Sequence, residues 1–147
     1  MNALPRRRAL QGLATLPWWF AALDAVAQAA VAPLDARVKS VPAVRGGLSL
    51  DIPALAETGT SVPVVLFVDK SALGSRTVTR LGVIAPENPR PVALEIELGP
   101  VLAQPRLTTA IRLAAKQRVI GVALLSDGTL WQHAVEVELT GTACFDG

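Results

Sequence analysis

The stretch VIGVALLSDGTLWQHAVEVELT, residues 119–140, decides the fold. Its opening residues form an apolar run rich in β-branched side chains, and Ser126-Asp127-Gly128 then supplies the residues of a tight hairpin. The return segment alternates. Ala134, Glu136 and Glu138 fall on one side of it, and His133, Val135, Val137 and Leu139 on the other. A period of two predicts two antiparallel strands, the second with one face toward a core and one toward water.

Upstream of this hairpin the same signals recur. Residues 48–52 alternate and stop at Pro53, and residues 62–68 form a β-branched run around Phe67 that reads as buried on both faces. Residues 78–84 follow, closed by the turn Pro86-Glu87-Asn88-Pro89; residues 92–98 alternate with Glu95 and Glu97 outward, and residues 106–113 make one more strand. Residues 112–117 could close one helical turn at most. The class is therefore all-β, an antiparallel sandwich of about seven strands over residues 48–140. Residues 30–47, with Pro33, Pro42, Gly46 and Gly47, read as a leader across the domain surface, and residues 141–147 as a mobile C-terminal tail.

Residues 1–29 read as an address. Arg6-Arg7-Arg8 precedes an apolar run containing Trp18-Trp19-Phe20, and Ala27-Gln28-Ala29 supplies the small residues of a cleavage site. Paired arginines followed by Leu10 suggest twin-arginine export to the periplasm, although Ala9 and Gln11 stand where Phe and Lys are usual. Pro17 breaks the apolar run, which argues against a permanent membrane anchor. The formal charge of +2 belongs to this segment. Without its three arginines and Asp24, the 14 basic and 12 acidic residues fall to equal numbers. A neutral domain has no basic face for nucleic acid.

Chemistry has few places to reside. His133 is the one histidine and Cys144 the one cysteine, too few for a metal site built on either, and its expected place is a strand near the surface or rim. Glu95/Glu97 and Glu136/Glu138 have the two-residue spacing of solvated strand faces rather than of an acid–base pair. Trp131 reads as core or interface, and Arg106, Arg112 and Arg118 as decoration of strand edges. With no nucleophile–base pair or cofactor motif in the sequence, an enzyme is the poorest reading, and no cofactor is expected. Cys144 differs from a packed structural thiol because it follows Gly141-Thr142-Ala143 and precedes Phe145-Asp146-Gly147 on the tail. Nothing basic adjoins it, while Asp146 favours the neutral thiol, so a group loaded by another enzyme suits it better than self-activated catalysis.

Several segments, in order over about residues 48–144, resemble SoxY, the sulfur-carrier family of bacterial thiosulfate oxidation. Leu50-Asp51-Ile52-Pro53-Ala54-Leu55-Ala56-Glu57-Thr58-Gly59 and Ser61-Val62-Pro63-Val64 look like its P-x-I-A-E-N-G-x-x-V-P-V opening. Asn88-Pro89 matches its N-P turn, and Ile111-Arg112-Leu113-Ala114 with Val119 to Ala123 and Ser126-Asp127-Gly128 resembles its penultimate hairpin. The resemblance implies an immunoglobulin-like sandwich that pairs with a second sandwich subunit, SoxZ. It implies that a haem-containing enzyme loads Cys144 with thiosulfate and that a hydrolase releases sulfate. The carrier itself would catalyse nothing. The family arm ends G-G-C-G-G or close to it; here Thr142, Ala143, Phe145 and Asp146 stand around the cysteine. A second reading keeps the sandwich and its partner interface as a scaffold without cargo.

Overall fold

In the computed structural model, which describes residues 33–99 and 105–141, the core is enclosed by two sheets. The smaller contains β1 (Leu48–Asp51), β3 (Val62–Val68) and β6 (Arg106–Ile111), in the order β1-β3-β6. The larger contains β2 (Leu55–Ala56), β4 (Val78–Ile84), β5 (Val92–Glu97), β7 (Gln117–Leu125) and β8 (Leu130–Leu139), in the order β2-β8-β7-β4-β5. Among the described residues two helices complete it: α1 (Leu34–Ser40) and α2 (Lys70–Leu73). All the pairings are antiparallel except β2 with β8.

The hairpin of residues 119–140 forms as expected. Asp127 Oδ1 accepts the Thr129 N–H at 2.9 Å, Gly128 takes a φ of 83°, and Ile120 stands opposite Ala134 in the β7–β8 ladder. From β8, Trp131 and Val137 enter the main core, where they meet Leu48 and Leu50 of β1, Val64 and Leu66 of β3, and Leu81 and Val83 of β4. The burial of these side chains is the main source of stability, at about 25 cal/mol per Å² of apolar surface.

Four expectations need correction. First, the leader is not irregular throughout: α1 lies within it, and Leu34 is fully buried against Ile84, Val122, Leu124 and Leu130. These side chains project from the outer face of the larger sheet, so α1 gives β7 a second cover. The fit is close at Gly82, where a Cβ would lie 2.7 Å from Leu34 Cδ1. Second, β3 is buried on one face only. Val62, Val64, Leu66 and Val68 point inward, whereas Pro63 is exposed and Val65 and Phe67 are half-buried on the outer face.

Third, an eighth strand exists. Residues 55–56 are too few to show a strand period, and they pair because β8 extends past them. The helical turn considered for residues 112–117 is absent, replaced by bends leading into β7. Fourth, Glu95 does not sit on a freely solvated face. It ion-pairs with Arg80 of β4, whose guanidinium is largely buried, while Glu97, Glu136 and Glu138 are exposed as expected. An arginine inside the apolar strand VTRLGVI needs a carboxylate from the next strand, a signal the spacing of the glutamates alone does not give.

Candidate functional site

The tail begins where β8 ends, and the sequence places a dedicated clamp there. Glu138 N–H donates to Ala54 O at 2.8 Å and Thr140 N–H to Ala56 O at 3.0 Å. Thr140 Oγ1 adds a weaker bond to the same carbonyl at 3.4 Å. Thus β2 holds the last strand along its outer edge up to the point of departure. Gly141 then passes so close to residue 57 that a Cβ would lie 2.6 Å from the Glu57 carbonyl oxygen. Glycine is required by contact here as well as by flexibility.

A second clamp braces the same end of the sandwich. Asn88 Nδ2 donates to Arg112 O at 2.7 Å, and its Oδ1 accepts from Ala114 N–H at 2.8 Å and from Gln117 Nε2 at 3.0 Å. Gln117 Oε1 in turn accepts the Glu87 N–H at 3.0 Å. One asparagine therefore ties the β4–β5 turn to the β6–β7 connection. Leu113 N–H donates to Gly59 O at 2.8 Å, which extends the brace to the segment after β2. Beside it lies an open groove of about 610 Å³, lined by Asn88, Arg90, Ala93, Ala110 and Arg112. The Asn88–Gln117 network was not legible as a network, since its members are about thirty residues apart; the turn signal at Pro86 to Pro89 marked only one side of it.

Of the candidate tail residues, Gly141 is described; Thr142, Ala143, Cys144, Phe145, Asp146 and Gly147 lie outside the described residues, as does the whole of residues 1–29. His133 does not join the tail root. It sits on the inward side of β8, half-buried, and its Nδ1 accepts the Leu50 N–H of the opposite sheet at 2.8 Å. Burial lowers its pKa below the usual imidazole value, and the nearby charge of Arg45 lowers it further. Trp131 is core, with the Arg76 guanidinium 5.2 Å from its ring centre. Among the described residues no three His, Cys, Asp or Glu side chains gather to hold a metal.

Several of the segments that build these clamps, residues 54–59, Asn88 and residues 112–114, are among those on which the family resemblance rested. The family model for the sulfur oxidation protein SoxY matches residues 34–144, from the buried leucine of α1 to the one cysteine. The chain belongs to the SoxY family. Among solved structures, it resembles the sulfur carrier protein SoxY from Chlorobium limicola f thiosulfatophilum with a TM-score of 0.59 and 22% identity, covering 74% of this chain and 96% of that one. It also resembles a superoxide reductase (neelaredoxin) from Ignicoccus hospitalis, at a TM-score of 0.53 and 13% identity over 65% of this chain and 81% of that one. A putative superoxide reductase from Thermotoga maritima scores 0.51 at 14% identity, over 65% and 87%. At these identities the likenesses establish a shared sandwich and no shared chemistry. Among curated proteins, none matches the sequence.

Proposed function

We propose that this SoxY-family chain is a periplasmic sulfur carrier, loaded on Cys144 by a partner enzyme. The observation that carries the reading is that the family match runs on past the clamped end of β8 to the one cysteine of the chain. The clamps support it physically. A carrier needs a rigid body and a short free arm, and the hydrogen bonds to Ala54 and Ala56 fix where the arm starts. Cys144 is three residues beyond Gly141, a reach of roughly 10 Å when extended.

The loading step is an oxidation. The thiol loses a proton, its sulfur bonds to the outer sulfur of thiosulfate, and two electrons pass to the haem of the loading enzyme. The product is Cys–S–S–SO₃⁻, in which the first sulfur is the Sγ of Cys144 and the second is the outer sulfur of thiosulfate. Hydrolysis by the second partner then releases sulfate and two protons and leaves Cys–S–S⁻. Arg90 and Arg112, at the same end of the sandwich, have the right charge to attract such cargo. Asp146 opposes it, placing a negative charge two residues from the thiol.

Pairing with a SoxZ-like second sandwich is supported by the outer face of β3, where Pro63, Val65 and Phe67 form an apolar stripe that no element of this chain covers among the described residues. The export signal in residues 1–29 supplies the periplasmic address. Incubation with thiosulfate and the haem-containing loading enzyme is expected to add the mass of one thiosulfate, less one hydrogen, to the tail peptide, and Cys144→Ser to abolish the gain. A wild-type chain that stays unmodified while binding its sandwich partner would instead establish the scaffold reading.

A further inference from the structure

The two sheets leave one side of the sandwich unclosed at the end from which the tail departs. Among the described residues β5 and β6 are outermost in their sheets, each paired on one side, and the chain joins them at the opposite end. The start of β5 and the end of β6 therefore flank an open seam, the groove of about 610 Å³ beside Asn88. Half-buried Val92 and Ala93 and buried Ile111 give it an apolar part, and exposed Arg90 and Arg112 give it charge. No carboxylate is among the described residues that line it. Asn88 fixes its shape by bonding Arg112 O and Ala114 N–H across the end of the sandwich.

The tail carries the complementary pair. In residues 142–147 Phe145 is the one aromatic residue and Asp146 the one charged side chain, and they are adjacent. An arm that had only to be thin and free would be served by glycine at both positions. A phenylalanine ring instead brings a large apolar area, which a groove with an apolar floor takes out of water. Exposed arginines alone hold an anion weakly, so the ring supplies the grip and the arginines set which way the dipeptide lies. The lengths agree. β8 and β5 are three strand spacings apart in the larger sheet, about 15 Å. Phe145 is four residues beyond Gly141, a reach of ~14 Å before the ring's own length is added, and Asp146 is one residue further.

We infer that the groove between β5 and β6 is a docking site for this chain's own tail, with Phe145 seated against Val92, Ala93 and Ile111 and Asp146 beside Arg90 and Arg112. The docked tail is stretched across the end of the sandwich, over the Asn88 brace, and holds Cys144 against the body. A loading enzyme then has to lift Phe145 before the thiol can enter its active site, and the free fraction of tails sets how many chains are ready. This gating rests on the carrier reading, whereas the docking itself does not.

Cys144 is the one cysteine, so a nitroxide attached to it reports the position of the tail without further substitution. In the isotopically labelled full chain, the nitroxide should broaden the amide resonances of Ala93, Ala110 and Ile111 roughly twofold or more beyond its effect in Phe145→Gly. The same amides should shift between wild type and Phe145→Gly when neither carries the nitroxide, which checks that the probe itself does not create the contact. Equal broadening in Phe145→Gly, or no broadening of these amides in either chain, would overturn the docking. Broadening that fades on dilution would overturn it as well, by giving the groove to the tail of a second copy. Groove amides that ignore Phe145 but shift with an added SoxZ-like subunit would give it to that partner. No loading enzyme is present, so the result is independent of whether Cys144 accepts thiosulfate.

Discussion

His133 shows how much one side chain can do without touching the chemistry of the tail. Its ring spans the two sheets by accepting a backbone proton from Leu50, and that bond exists only while Nδ1 is unprotonated. Because burial and Arg45 lower its pKa in the folded state, the folded protein binds a proton less readily than the unfolded chain does. The stability this contributes is fully present above the unfolded value near 6.5 and is lost as pH falls through the lower folded value. Urea unfolding is expected to show a midpoint that drops as pH falls below the unfolded imidazole value. In His133→Gln that dependence should flatten; a slope equal to wild type would assign it to other groups. From sequence, His133 was legible as a strand residue near the rim but not as a link between sheets, because its partner is a backbone N–H 83 residues away.

Elements were legible to the degree that they carry their own period. β3 and β4 follow the bounds expected from alternation and β-branching, and the β7–β8 hairpin follows from its turn residues. What stayed hidden was cover. The apolar runs of β3 and β7 look alike in sequence, yet one has its outer face packed under α1 and the other does not. The leader held a weak hint in Leu34 and Val38, spaced four apart on one helical face. Seven residues cannot hold a helix in water by themselves, so α1 exists because the larger sheet offers it a seat. β2 depends on its neighbour in the same way, being two residues paired against an extended β8. Leu34→Ala removes the fully buried anchor of α1 and should cost about 2–4 kcal/mol in chemical denaturation. Amide exchange should rise first along α1, before the β7–β8 ladder. Loss smaller than 1 kcal/mol, roughly that of a surface change, would mean that the helix contributes little to the fold.

At the scale of the molecule, two faces of the sandwich are treated differently. The larger sheet is closed by a segment of its own chain, whereas the smaller sheet presents Pro63, Val65 and Phe67 between Ser49 and Asp51 on one side and Arg106 and Thr108 on the other. An apolar stripe with a polar rim has the anatomy of a protein interface rather than of a solvated surface. That division of labour would suit the proposed carrier, with one end braced and a broad apolar face open to the proposed second sandwich. Phe67→Glu puts a charge on the largest side chain of the stripe without entering the main core, since the ring is directed away from it. The variant should fold with near wild-type stability and lose co-elution with a SoxZ-like sandwich subunit on size-exclusion chromatography, a drop in affinity of at least a hundredfold. Such a loss is on the scale of an aromatic hot-spot anchor, about 3 kcal/mol. Undiminished pairing would move the companion to another surface and leave the stripe unexplained.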